Sequence, residues 1–228
     1  LSHREPFMTP KAILFDLDGT LVDSVRDLTD VLNIFLAEEG LPQVSLEKVK
    51  SMIGDGAAKL VERALVATGG DLGRLSAHVG RFLAIYEAGA SRHTVPYPGV
   101  REALEELSRR GLKLAVVTNK PYAATMDILA ALDLTGFFGA VVGGDSLPER
   151  KPHPAPLLAA LSQLAVPPEA AIMVGDNYHD VEAAHAAGVR AFAVTYGYSH
   201  RPHHELGAER LLDNMAELPA LIDVAVSA

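Results

Sequence analysis

Short runs of apolar residues recur along the chain, each bounded by residues such as Gly, Asp or Pro. The runs are residues 12–15, 112–117, 140–142, 171–174 and 191–195. Continuous apolar runs of this length are typical of strands that are buried on both faces of a parallel sheet. The pattern therefore predicts at least five such strands.

Amphipathic stretches separate the later runs. They cover residues 100–110, 122–132, 156–164 and 181–187. Gly111 and Gly188 follow the first and last of them, where the end of a helix favours a residue that adopts the left-handed conformation. Alternating strands and helices predict an α/β fold, with a doubly wound parallel sheet as its core.

The interval 25–92 interrupts this alternation, because its apolar residues recur only with helical spacing, as Val31, Leu32, Phe35 and Leu36 do. We interpret it as an inserted α-helical cap domain. The expected division of the chain is an α/β core over 9–23 and 96–228 and a helical cap over 24–95. Residues 1–7, which precede Met8, are interpreted as a non-native remnant.

Composition narrows the possible functions. The chain has 228 residues, 49% of them hydrophobic, and its 20 Lys and Arg against 29 Asp and Glu give a net charge of -9. Such a surface repels nucleic acid and anionic membranes, so we expect neither as a partner. The chain has no cysteine, which excludes disulfides and thiol nucleophiles. Without a long apolar run or a signal-peptide pattern, we expect a cytoplasmic protein.

Polar residues that could carry chemistry follow the predicted strands directly. They are Asp16, Asp18 and Gly19 after the first strand, Thr118 and Asn119 after the second, Lys151 in a later loop, and Asp176 and Asp180 after the fourth. In an open parallel sheet, ligands bind beyond the carboxyl ends of the strands. We therefore expect these side chains to converge at one edge of the sheet.

Four motifs in this order resemble the haloacid dehalogenase superfamily, and within it the magnesium-dependent phosphatases with a helical cap. The resemblance runs from Lys11 to about Ile222. It implies one Mg²⁺ ion, held by the side chains of Asp16 and Asp176 and by the backbone carbonyl of Asp18. Asp180 is interpreted as a further partner of the metal site or of Lys151, or as the N-cap of the helix at Val181.

Each of these residues suits phosphoryl transfer. A carboxylate at Asp16 would attack phosphorus and form an aspartyl-phosphate, while Asp18 would move protons to and from the reacting oxygens. The Thr118 hydroxyl, the backbone N–H of Asn119 and the Lys151 ammonium would donate to the phosphoryl oxygens. Gly19 is placed with the phosphate-binding residues because it shapes the turn. His153 and His179 lie in the motif loops and receive no role.

The cap contains a second candidate binding element. Gly54 and Gly56 precede a predicted helix over 57–66, whose first N–H groups could bind an anion; a plain turn is the alternative. The segments 16–24, 117–121, 151–154 and 194–198 are most similar to those of phosphoglycolate phosphatases. That resemblance implies a small phosphorylated metabolite, 2-phosphoglycolate, as the substrate.

Three alternatives remain open. The protein could hydrolyse another small phosphate ester, transfer the phosphoryl group as β-phosphoglucomutases do, or bind phosphate as a regulatory protein without turnover. Asp18 disfavours a dehalogenase, since that branch lacks a second carboxylate at this place. The presence of Asp16, Asp18, Lys151 and Asp176 together favours an enzyme over a binding protein. The sequence predicts no oligomeric state.

Overall fold

A parallel sheet forms the centre of the protein in the computed structural model, which describes residues 9–89 and 92–224. The strands are β1 (Ala12–Phe15), β2 (Val22–Asp23), β3 (Val95–Pro96), β4 (Lys113–Val117), β5 (Phe138–Val142), β6 (Ala171–Gly175), β7 (Arg190–Val194) and β8 (Arg210–Leu212). Within the described ranges, six of them form one parallel sheet in the order β5-β4-β1-β6-β7-β8. The predicted doubly wound parallel sheet is confirmed.

The central position of β1 follows from its sequence. All four of its residues are fully buried, as expected for a strand with a neighbour on each side and helices on both faces. Ile13 lies opposite Leu114 of β4 and Ile172 of β6. The sequence did not predict β8, because Arg210 and Leu211 are exposed and only Leu212 enters the core.

The helices divide between the two faces of the sheet and a separate bundle. They are α1 (Val25–Glu38), α2 (Leu46–Lys50), α3 (Ala57–Thr68), α4 (Leu75–Gly89), α5 (Val100–Arg109), α6 (Tyr122–Ala131), α7 (Ala155–Leu164), α8 (Tyr178–Ala187) and α9 (Leu218–Val224). Helices α7 and α8 pack on one face of the sheet, and α5, α6 and α9 on the other. No helix among the described residues is both long and apolar enough to cross a membrane.

Helix α8 begins three residues earlier than the apolar pattern predicts. Asn177 is its N-cap and accepts a hydrogen bond from the backbone N–H of Tyr178 at 2.8 Å. Asp180 therefore lies in the first turn, where its side chain completes a capping box with Asn177. The interpretation of Asp180 as the N-cap is wrong, because the polar residues 178–180 are already helical.

Helices α1 to α4 pack around a separate apolar cluster that includes Leu32, Phe35, Leu65 and Phe82. The short antiparallel pair of β2 and β3 lies where the chain enters and leaves this bundle. Since the bundle has its own core, we propose that residues 24–95 form the cap and that 9–23 and 96–228 form the α/β core. The expectation for residues 1–7 lies outside the described residues.

A buried aromatic ring tests this packing. Phe192 of β7 is fully buried between the sheet and the helices on one face. We expect Phe192→Ala to lower the free energy of unfolding by about 3–5 kcal/mol, because it leaves a cavity. Urea unfolding followed by circular dichroism measures the change.

Val66→Ala provides the matched control, because the Val66 side chain is 66% exposed on α3. This substitution should change the free energy of unfolding by no more than about 0.5 kcal/mol. Equal losses in the two variants would contradict the assigned position of Phe192.

Candidate functional site

The carboxyl ends of three neighbouring strands supply the site. Asp16 follows β1 directly, Thr118 follows β4 and Asp176 follows β6. The loop between β5 and α7 brings Lys151 to the same edge, where its ammonium contacts Asp16. The structure thus brings together the residues that the sequence predicted to converge.

Lys151 lies at the centre of this group. Its ammonium is 2.8 Å from Asp16 Oδ1 and 2.6 Å from Asp180 Oδ1, and its side chain is only 2% exposed. Burial alone would lower the pKa of Lys151, but the two carboxylates outweigh that effect and raise it to about 12. Lys151 therefore keeps its positive charge inside the protein.

Three buried carboxylates surround this lysine. Asp16, Asp176 and Asp180 each offer an oxygen within 4.8 Å of the others. Burial raises the pKa of Asp16 to about 6 although Lys151 opposes the shift. Burial, together with repulsion from Asp180 and Asp16, raises the pKa of Asp176 well above its usual value. Because a cation would relieve this repulsion, the group of hard oxygen donors fits Mg²⁺.

Asp176 and Asp180 differ in their remaining contacts. Asp176 Oδ2 accepts a hydrogen bond from the backbone N–H of Tyr198 at 2.6 Å. Asp180 Oδ2 accepts from the backbone N–H groups of Asp176 and Asn177, at 3.2 and 3.1 Å, while Oδ1 contacts Lys151. Both oxygens of Asp180 therefore already accept hydrogen bonds.

Gly19 makes room for Asp176. A β-carbon on Gly19 would lie 2.2 Å from Asp176 Oδ2, and the backbone of Gly19 has a φ of +86°. A side chain at this position would therefore displace the carboxylate. Gly19 is not among the described residues that line the cavity of the site. The expectation that it contacts phosphate stays a prediction, while its packing against Asp176 is a role that sequence reasoning missed.

A cavity lies between the sheet edge and the helical bundle, and both Asp16 and Asp18 line it. The other described residues of its wall are Leu28, Ile53, Gly54, Gly56, Ala57, Leu60, Phe82, Leu83, Tyr86, Thr118, Asn119, Lys120, Pro121 and Ala124. The cavity therefore has ionic groups at the sheet edge and apolar groups from the bundle. Gly54 and Gly56 are part of its wall.

Asp18 has two polar partners that sequence reasoning did not identify. Its Oδ1 accepts a hydrogen bond from the Ser24 hydroxyl at 2.5 Å, and Lys120 Nζ lies 3.2 Å from Oδ2 and 3.3 Å from Oδ1. Burial alone would lower the pKa of Lys120, but Asp18 reverses that effect and raises it. The position of Lys120, directly after Thr118 and Asn119 at a strand end, was the available signal.

Asn119 joins the cavity wall to the lysine loop through its side chain. Its Nδ2 donates to the backbone carbonyls of Gly54 and Lys151, each at 3.0 Å, and its Oδ1 accepts from the N–H of Lys151 at 3.0 Å. Sequence reasoning considered only the backbone N–H of Asn119. Thr118 lines the cavity, and its hydroxyl accepts a hydrogen bond from the N–H of Lys120 at 3.2 Å.

His179 provides a second contact between the bundle and the core. Its ring Nε2 contacts Asp55, which also lies 2.5 Å from the Arg63 guanidinium. The carboxylate of Asp55 thus connects α8 to α3 through two basic groups. Sequence reasoning assigned His179 no role, because its partner Asp55 belongs to a loop of the bundle and not to a strand end. His153 accepts a local hydrogen bond from the N–H of Ala155 at 3.2 Å.

Known proteins are similar in sequence to this chain. The family model for haloacid dehalogenase-like hydrolases matches residues 13–194. Phosphoglycolate phosphatase 1 of Pseudomonas aeruginosa is 43% identical over 99% of this chain and 85% of its own length. Phosphoglycolate phosphatase of Rhodospirillum rubrum is 45% identical over 92% of this chain and 89% of its own length.

Solved structures of related proteins are also similar to the structure of this chain. A crystal structure of a predicted phosphoglycolate phosphatase from Haemophilus somnus is 36% identical, with a TM-score of 0.89 over 94% of this chain and 98% of its own. CbbY from Rhodobacter sphaeroides, crystallised in complex with phosphate, is 29% identical, with a TM-score of 0.76 over 94% of this chain and 99% of its own. The chain therefore belongs to the haloacid dehalogenase-like hydrolase family.

Proposed function

We propose that the protein is a magnesium-dependent phosphomonoester hydrolase that acts through an aspartyl-phosphate at Asp16, with 2-phosphoglycolate as its substrate. One observation carries the proposal. The Asp16 carboxylate lies on the cavity wall together with Asp18 and is held 2.8 Å from the Lys151 ammonium. A nucleophile, a proton-transfer group and a cation for the phosphoryl oxygens are thereby available at one place.

In the first step, an oxygen of the Asp16 carboxylate attacks phosphorus and the ester P–O bond breaks. The departing oxygen takes a proton from the Asp18 carboxyl, which becomes a carboxylate. Lys151 and the Thr118 hydroxyl stabilise the negative charge on the phosphoryl oxygens. The products of this step are an alcohol and a phosphoryl group bound to Asp16.

In the second step, the Asp18 carboxylate takes a proton from a water molecule, whose oxygen attacks phosphorus. The bond between phosphorus and Asp16 breaks, which releases inorganic phosphate and restores both carboxyl groups to their starting states. The apolar wall that the bundle contributes to the cavity supports this sequence, because it limits access of bulk water to the intermediate.

The magnesium site is part of this proposal. Asp16 and Asp176 would hold the ion through their side chains, and the backbone carbonyl of Asp18 would be a third ligand. When bound, Mg²⁺ would neutralise negative charge on the phosphoryl group. We propose that Asp180 orients Lys151 instead of binding the ion, because its two oxygens already accept three hydrogen bonds.

The cap supports a small acidic substrate. Gly54, Gly56 and the first residue of α3 line the cavity. The first N–H groups of a helix have no partner within the helix, and its positive end attracts anions. The names of the Pseudomonas aeruginosa and Rhodospirillum rubrum relatives support phosphoglycolate as the substrate for this chain as well.

Phosphate release tests the proposed activity. We expect the purified protein to release inorganic phosphate from 2-phosphoglycolate when Mg²⁺ is present, and to stop when a chelator is added. No bisphosphate should be required, which separates a phosphatase from a phosphoryl transferase. Asp16→Asn should abolish turnover, because an amide is a poor nucleophile.

Asp127→Asn is the matched control, because Asp127 is exposed on α6 and lies outside the cavity. This variant should keep the parent rate. Release by folded Asp16→Asn within roughly tenfold of the parent rate would exclude Asp16 as the nucleophile.

Gly19→Ala tests the metal site without relying on turnover. The added β-carbon would displace Asp176, since only 2.2 Å separates it from Oδ2. We therefore expect Mg²⁺ to raise the thermal unfolding temperature of the parent protein but not that of Gly19→Ala.

Gly111→Ala controls for backbone strain. Gly111 has a φ of +79°, but nothing lies within 4 Å of a β-carbon there. This variant should be destabilised by a comparable strain of about 1–2 kcal/mol and yet keep the full response to Mg²⁺. An unchanged Mg²⁺ response in Gly19→Ala would argue against Asp176 as a ligand.

A further inference from the structure

Lys120 is a buried cation that the two chemical steps do not use. The residue is only 7% exposed, and its ammonium contacts both oxygens of Asp18 at 3.2 and 3.3 Å. It also lies 4.6 Å from the centre of the Tyr86 ring, which α4 contributes. An ammonium in such a place loses its hydration and depends on anions for compensation.

Lys120 itself is the position on the cavity wall that attracts an incoming anion. Of the described residues that line the cavity, Lys120 is the one with a cationic side chain, while Asp16 and Asp18 both carry carboxylates. Leu60 and Phe82 belong to the apolar part of the same wall. Ion pairs are stronger next to such groups than in water. A substrate with a carboxylate would therefore gain most by reaching Lys120.

Tyr86, which lies against Lys120, adds a second observation. The residue is 3% exposed and lines the cavity, and no described residue accepts a hydrogen bond from its buried hydroxyl. A buried hydroxyl without an acceptor is costly to the protein. An anion beside Lys120 would provide that acceptor.

We propose that Lys120, assisted by the Tyr86 hydroxyl, binds the substrate carboxylate and thereby selects phosphate esters of 2-hydroxy acids. This inference rests on the proposed phosphatase function and names the residues that would recognise its substrate. An ammonium has three donors, so Lys120 can contact Asp18 and the substrate carboxylate together. Because Lys120 lies in the core and Tyr86 in the bundle, a bound carboxylate would connect the bundle to the core.

The position of Asp18 determines which acids fit. Asp18 protonates the departing ester oxygen in the proposed first step, and Lys120 lies directly beside it. In the phosphate ester of a 2-hydroxy acid, one carbon separates that oxygen from the carboxylate. The substrate carboxylate then lies next to Asp18, beside the Lys120 ammonium. In a 3-hydroxy acid, the additional carbon moves the carboxylate away.

The test compares 2-phosphoglycolate with ethyl phosphate, which has the same departing oxygen but no acid group. The measured quantity is the ratio of kcat/KM for 2-phosphoglycolate to kcat/KM for ethyl phosphate. Lys120→Met should lower this ratio by roughly 10- to 100-fold, since a charge-assisted hydrogen bond is lost. Tyr86→Phe should lower it by roughly threefold or more, since the hydroxyl that donates to the substrate carboxylate is lost.

Two further variants keep the test decisive. In Lys120→Gln, the side chain can still donate a hydrogen bond to Asp18 but carries no charge. We expect this variant to lower the ratio as Lys120→Met does. It provides the test if Lys120→Met folds poorly. Lys50→Met removes a cation from α2 whose side chain is 41% exposed, and should leave the ratio unchanged. The parent protein should also prefer 2-phosphoglycolate to the phosphate ester of 3-hydroxypropanoate.

Several results would overturn the inference. A ratio within roughly twofold of the parent value in folded Lys120→Gln would mean that Lys120 only orients Asp18. A parent protein that hydrolyses ethyl phosphate as well as 2-phosphoglycolate, or prefers the 3-hydroxypropanoate ester, would exclude the proposed selection while the phosphatase assignment stands. If no ester is hydrolysed, the proposed function itself fails and the inference with it.

Discussion

The ion pairs of Lys151 hold together a group of carboxylates that would otherwise repel one another. Its ammonium lies 2.8 Å from Asp16 and 2.6 Å from Asp180, and removing one partner from a buried pair typically costs about 3–5 kcal/mol. The second oxygen of Asp180 accepts hydrogen bonds from the backbone N–H groups of Asp176 and Asn177, just before α8. Asp180 therefore also positions the loop that carries Asp176. A β-carbon on Gly175 would lie 2.2 Å from Asp180 Cγ, which explains the glycine at the end of β6.

The site also depends on how the helical bundle meets the core. The Tyr198 hydroxyl donates to Asp23 at 2.6 Å and accepts from the backbone N–H groups of Ser24 and Val25 at 2.9 and 3.1 Å. The backbone N–H of Tyr198 meanwhile donates to Asp176. One residue thus connects the start of α1 to the proposed metal site. A change in how the bundle packs on the core would therefore alter the position of Asp176 as well as the cavity wall.

Much of this arrangement could be predicted from the sequence, for identifiable reasons. Strands covered on both faces leave continuous apolar runs, whereas β8 leaves none because two of its three residues are exposed. The approach of Lys151 to Asp16 was predictable because strand ends and motif loops converge at one sheet edge. Lys120 also follows a strand end, so its contact with Asp18 could have been inferred by the same argument. The contact of His179 with Asp55 could not, because it joins a helix of the core to a loop of the bundle. Their approach depends on packing that local patterns do not encode.

A covalent intermediate at Asp16 is the central claim, and trapping it is the most direct measurement. The protein would be mixed with 2-phosphoglycolate and Mg²⁺, quenched in acid during turnover and treated with borohydride, which reduces an aspartyl-phosphate to homoserine. Peptide mass spectrometry then locates the reduced position. The account predicts homoserine at position 16 and at none of the other aspartates. Homoserine at position 18 or 176, or none at any position while phosphate is released, would contradict it.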